Sequence, residues 1–181
     1  MLTATCSAAG VLLPGPVRAA VLGAASREAE TIANPRRLDT GWQFRQSAIG
    51  SIAEVWRAED KGLWQEANLP HCYNGLDSCD PDHSYYRGQG WYRTRLPLRN
   101  PFPGGRTILN FQGAGQTTSL WVGSTFIGTH KGGYDEFSFD ITDAVQRLTP
   151  AGSNEEVPIA VCCDNSSDRD RVPSDLSDFC L

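Results

Sequence analysis

"TTSLWVGSTFIGTHKGGYDEFSFDIT", residues 117–142, is the stretch whose reading decides the fold. Leu120 and Val122 alternate with Trp121, and Gly123-Ser124 supplies the glycine-first pair that a type II′ hairpin turn prefers. Phe126 and Gly128 then resume the alternation, so the run predicts two antiparallel strands joined by a tight turn. Gly132 and Gly133 allow a positive φ and a sharp change of direction, expected to lay Tyr134 against the body of the domain before a strand through Phe137 and Phe139. The stretch runs on into "DITDAVQRL", residues 140–148, where Ile141, Val145 and Leu148 form one helical face. Asp140 or Thr142 can cap the start of this helix, and Asp143 favours its positive end.

Outward from this segment the texture is the same from Trp42 onward: short alternating apolar runs separated by Gly, Pro, Asn and Asp, the pattern of an all-β sandwich. Strands are predicted near 42–46, 63–69, 90–98, 106–112, 117–123, 125–130, 136–140 and 156–163. Pro158 has no N–H to give a ladder, so it must stand at the beginning of the last strand or on an outer edge. Residues 1–41 read as a leader and polar entry segment, and residues 42–181 as one β-sandwich domain. Within the leader, residues 1–25 are rich in Ala, Val and Leu but lack a basic start and are broken by Pro14-Gly15-Pro16. That is half of a secretory signal: it points to a secreted or periplasmic protein and leaves a cytoplasmic one open, and it is too short and interrupted to span a bilayer.

The chain has 181 residues, enough for one domain and too short to include a (β/α)₈ barrel of about 250 residues beside it. A net charge of −5 argues against nucleic acid or an anionic membrane as partner, since either calls for clustered Lys and Arg on one face. Nothing in the sequence calls for a cofactor. The six cysteines, at 6, 72, 79, 162, 163 and 180, include no C-x-x-C pair and read as small hydrophobes, with a Cys72 to Cys79 bridge conceivable in an exported protein. "DNSSDRDRVPSD" spaces Asp164, Ser166, Asp168 and Asp170 like a calcium loop, but lacks the glycine at the sixth place and the glutamate at the twelfth, where Asp175 stands. It reads as an acidic loop, and no metal site is expected. His71 reads as a hydrogen-bonded structural histidine.

"NLPH" (68–71), "GQGWYRTRL" (88–96), "LNFQGAG" (109–115), "LWVGSTFIGTHKGGYDEFSFDIT" (120–142) and "VCCDNSSDRDRVPSDLSDF" (161–179) stand in an order and spacing that resembles the amino-terminal sugar-binding domain of glycoside hydrolase family 2. That family includes β-galactosidases, β-glucuronidases and β-mannosidases. The resemblance implies a jelly-roll β-sandwich, followed in an intact parent by an immunoglobulin-like domain and a catalytic barrel, with a β-glycoside as carbohydrate partner. In the family an Asp-Phe pair is followed by Gly-Gly-Ile-Tyr-Arg, whereas here Cys180-Leu181 follows Asp178-Phe179, so the last strand of the domain is expected to be missing.

The site residues follow from the same resemblance. It gives Asp178 the role of accepting hydrogen bonds from a sugar hydroxyl, with an exposed acid as the competing reading. It sets Arg87, in "YYRGQGW", on a loop beside the same pocket, where its donors bind hydroxyls or form an ion pair. His130 and Tyr134 are weaker candidates for sugar contact. No catalytic residue is assigned: glycoside hydrolysis needs two converging carboxyl groups about 5–9.5 Å apart, which the resemblance places in the barrel. Consecutive Asp135 and Glu136 would point to opposite faces of a strand. The expected role is the carbohydrate-binding domain of a glycosidase, the alternatives being a stand-alone carbohydrate-binding module and a non-catalytic interaction domain.

Overall fold

The computed structural model describes residues 2–7, 35–77, 84–98, 100, 102, 104–149 and 155–166. The backbone forms two antiparallel sheets packed as a sandwich. One sheet has the strand order β2-β1-β6-β9, with β1 Leu2–Ser7, β2 Arg36–Arg37, β6 Arg106–Phe111 and β9 Phe137–Asp140. The other has the order β4-β3-β5-β10-β7-β8, with β3 Trp42–Gln46, β4 Gln65–Ala67, β5 Gln89–Leu96, β7 Thr117–Val122, β8 Thr125–Lys131 and β10 Val157–Asp164.

All eight predicted strands are present, their ends shifted by at most a few residues, because alternation reports which face is buried. In β7, Thr118, Leu120 and Val122 are buried, and in β6 Thr107, Leu109 and Phe111 are. Their apolar members meet Trp42, Phe44, Tyr92, Ile159 and Val161 in one core between the sheets. The hairpin forms as expected, with Val122 opposite Thr125, Gly123 at φ 60° and its N–H donated to Pro158 O at 2.8 Å. Pro158 itself lies near the start of β10, one residue before the β7 ladder begins at Ile159.

Two things were not foreseen. Strands β1 and β2 add to the four-stranded sheet, β1 pairing with β6 from Leu2↔Phe111 to Ser7↔Arg106. The second is a cap on the outer face of the six-stranded sheet, built from helix α1 (Ile52–Val55) and a 3₁₀ segment, Ala58–Leu63. Ile49, Val55 and Trp64 pack there against Trp91, Ala160 and Cys162, with Trp56 and Trp121 alongside. This cap explains why β5 and β10 are buried on both faces rather than alternating. The reading of the cysteines as small hydrophobes holds for Cys162 and Cys163, whose thiols burial pushes well up. Cys72 is a free thiol, and Cys79 and Cys180 lie outside the described residues.

Tyr134 corrects a prediction. Only Gly132 of the glycine pair has a positive φ, 132°, and Tyr134 is 74% exposed instead of lying against the sandwich. The turn is held by other bonds. Gly132 N–H donates to Gln116 O at 2.9 Å, and a Cβ at Gly132 would stand 2.6 Å from Asp135 Oδ1. The packed ring of this turn belongs to His130, stacked on Phe137 at 3.8 Å between centroids.

Helix α2, Thr142–Leu148, buries Ala144 and Val145. Asp140 serves its start: its carboxylate accepts the Thr142 N–H at 2.9 Å and also pairs with Arg106. Burial pushes the Asp140 carboxyl up, but the bonds from Thr142 and Arg106 outweigh it and hold it below the ordinary value of 3.8. A depressed carboxylate stabilises the fold above its unfolded pKa, and that contribution fades as pH falls through the lower folded value. Asp140→Ala is therefore expected to cost about 1 kcal/mol at neutral pH and less below pH 3.8. Urea unfolding at the two pH values checks this, and an equal loss at both would remove the charge from the explanation.

Candidate functional site

One end of the six-stranded sheet collects the sequence candidates. In the register, Gln89 of β5 lies opposite Asp164 of β10, Asp164 opposite Thr117 of β7, and Thr117 opposite Lys131 of β8. Arg87 just precedes this row, Asn165 and Ser166 just follow it, and His130 and the Gly132 turn adjoin it. The topology thus puts Arg87 next to the point at which the chain leaves β10, and the His130–Tyr134 corner at the same end of the sheet two strands further on. Asp178 and Asp175 lie outside the described residues, as does the calcium-like pattern beyond Ser166.

Two buried asparagines fix this end. Asn74 and Asn165 are 0% and 1% exposed, and buried amides must find partners. Asn165 Oδ1 accepts the Gly88 N–H at 2.7 Å, while its Nδ2 donates to Asn74 Oδ1 at 3.0 Å and to Tyr86 O at 3.1 Å. Asn74 Nδ2 in turn donates to Asp77 Oδ2 at 2.8 Å and to Tyr86 O at 2.9 Å, and Asp77 Oδ2 accepts the Tyr86 N–H at 3.0 Å. Gly88 has φ 150°, and a Cβ there would meet the Tyr86 hydroxyl at 2.8 Å, so the loop closes only on glycine. Burial pushes the Tyr73 phenol far up, keeping it a neutral donor toward Gly88 O at 3.4 Å.

Arg87 projects from the loop so fixed, exposed, with its guanidinium 5.2 Å from the Tyr85 ring centroid. Its donor fork suits hydroxyls or a carboxylate. Asp135 and Glu136 do not converge: Asp135 Oδ2 lies 3.4 Å from His130 Nε2, whereas Glu136 accepts from Asn110 Nδ2. His71 is the structural histidine the sequence suggests, its Nδ1 2.9 Å from the Tyr92 hydroxyl, and burial lowers its pKa. Sequence reasoning missed Asn74, Asp77, Tyr86 and Asn165. An asparagine in a loop carries no mark of burial, and Asn165 was read only as part of an acidic run. Among the described residues, no group of three or more His, Cys, Asp or Glu is arranged to hold a metal ion.

The fold is an all-β sandwich with one end of its larger sheet fixed by two buried asparagines. No family model matches the chain. Known proteins do: it is 32% identical to a β-glucuronidase of Bacteroides fragilis over 109 residues, which are 60% of this chain and 14% of that protein. Among solved structures, β-glucuronidase 3 of Bacteroides uniformis is 47% identical with a TM-score of 0.71, over 80% of this chain and 20% of that one. A β-glucuronidase of Parabacteroides merdae is 42% identical with a TM-score of 0.71, over 79% and 20%. The resemblance to the amino-terminal domain of glycoside hydrolase family 2 therefore holds, and the chain corresponds to a domain of such an enzyme. It spans less than a fifth of the length of the curated relatives it matches.

The asparagine pair generates a stability prediction. Asn165→Ala strands the Gly88 N–H and the Asn74 carbonyl oxygen in a buried site, which should cost about 2–3 kcal/mol. Urea unfolding measures it. A loss below about 0.5 kcal/mol, the scale of an ordinary surface change, would mean that the pair does not hold this end of the sheet.

Proposed function

We propose that this chain is the carbohydrate-engaging domain of a glycosidase that hydrolyses O-glycosidic bonds, acting beside the immunoglobulin-like and barrel domains of the intact enzyme. The observation that carries the reading is the asparagine-held end of the sheet, which ties the loop of Arg87 to the end of β10. A fixed loop lets Arg87 meet a sugar with a smaller ordering cost. On this reading Asp178 accepts from a ring hydroxyl and Arg87 donates to a hydroxyl or to a uronate carboxylate. The β-glucuronidase relatives make a β-glucuronide the first sugar to try, and a β-galactoside the second.

No hydrolytic step is assigned to residues of this chain. Their contribution is orientation: a contact that tightens as the sugar ring distorts appears in kcat/KM, while one equally strong in both states appears in KM alone. In the enzyme carrying this domain, Asp178→Ala is expected to weaken sugar engagement by about 1.5–3 kcal/mol, the range for a hydrogen bond to a charged group. Arg87→Ala should act in the same direction, and Asp175→Ala is the control. Steady-state kinetics on phenyl β-glucuronide and phenyl β-galactoside decide the matter. Unchanged kinetics in both the Asp178 and Arg87 variants would leave this end of the sandwich a purely structural feature.

A further inference from the structure

The outer face of β4, β3 and β5, beside α1 and the 3₁₀ segment, bounds a groove of about 640 Å³. Gln43, Trp56, Arg57, Lys61, Arg93 and Arg95 line it, together with Glu66 as the one acid among its described lining residues. Four cations against one anion is a local excess that runs opposite to the chain's net charge of −5. The groove lies further along β5 from the Arg87 end and shares no residue with the asparagine network.

The positive charge is held in place. Arg93 is 7% exposed; its guanidinium lies 4.1 Å from the Trp64 ring centroid, its Nε donates to Gln43 Oε1 at 2.8 Å, and its NH1 donates to the Val55 carbonyl. Arg95 lies over Trp56 at 5.2 Å. Arg45 has its own counter-ion, Asp60, at 3.4 Å, but Arg57 and Lys61 pair with no described acid. Burial, and then repulsion from Arg95 and Arg45, lowers the Arg93 pKa, and Asp60 offsets this only in part. The Trp56 indole N–H, buried in the same structure, also meets no acceptor among the described residues.

We propose that this groove is an accessory binding site for an acidic saccharide. Its carboxylate or sulfate group is taken by Arg57, Lys61 and Arg95, and its hydroxyls by the side-chain amides of Gln43 and of Asn68, which also lines the groove. Cations and amides side by side are a donor set that an acidic sugar satisfies and that a bare ion uses only in part. The choice of a saccharide among anions rests on the reading of the chain as a domain of a carbohydrate-processing enzyme.

Isothermal titration of the full chain with tetragalacturonate, a neutral galactotetraose and sodium sulfate tests this. Tetragalacturonate should bind, more weakly as salt screens the cations, and the exposed double substitution Arg57→Gln/Arg95→Gln should weaken it at least about tenfold. Arg87→Ala should leave that binding unchanged. Tetragalacturonate binding that is lost with Arg87→Ala and unaffected by Arg57→Gln/Arg95→Gln would overturn the accessory site while supporting the proposed function. Equal affinity for sulfate and tetragalacturonate would overturn the saccharide assignment, and absence of tetragalacturonate binding would overturn the site itself.

Discussion

The rest of the structure depends on the antiparallel pairing of β5 with β10, from Val157↔Leu96 to Asp164↔Gln89, in a place where both faces must be dry. On the inner face β10 presents Val157, Ile159, Val161 and Cys163 to the core between the sheets. On the outer face it presents the small side chains of Ala160 and Cys162, which leave room for Trp64, Trp91 and Trp121. A larger residue at either position would push against tightly packed indoles, and overpacking of that kind costs about 1–3 kcal/mol. Small residues on one face of the strand and branched ones on the other are therefore what allows a second apolar layer outside the sandwich.

That second layer also shapes the surface. Covering the outer face with α1 and the 3₁₀ segment makes an edge, and the basic groove lies along it, where Trp56 belongs both to the packing of the cap and to the lining of the groove. The same pair of strands ends at Gln89 and Asp164, where the chain must turn and leave polar backbone groups to be satisfied. The asparagine network is the answer to that requirement. A buried cap with a charged rim and a rigid polar end are thus two results of one packing decision, and they lie at different points along β5.

The sheet was legible in the sequence where one face of a strand is buried and the other is not. Leu120, Val122, Phe137 and Phe139 report such alternation directly. Where that condition fails, reading from pattern fails too. Residues 1–25 have the composition of a leader, and a six-residue strand inside them is not separable by composition from its surroundings. Helix α1 has only four residues, below the length at which helical periodicity can be seen, and it owes its existence to packing against Trp91 rather than to its own propensity. Tyr134 was misplaced because an aromatic beside two glycines was assumed to be the packed ring, when the stacking partner of Phe137 is His130. Of the site, Arg87 was legible only through resemblance, and the asparagines that hold its loop were not legible at all, since hydrogen bonds between residues distant in sequence leave no local pattern.

Those distant bonds decide how the end of the sheet behaves. Asn165 is bonded through its side chain to the Gly88 N–H and through its backbone N–H to the Gly88 oxygen, so β10 and the loop of Arg87 are joined by a reciprocal pair. Moving Arg87 away from β10 would expose or strand buried amide groups, at about 1–3 kcal/mol for each unsatisfied group. Thermal motion supplies that only rarely. The position from which Arg87 reaches a ligand is therefore set by Asn74 and Asn165, neither of which needs to touch that ligand.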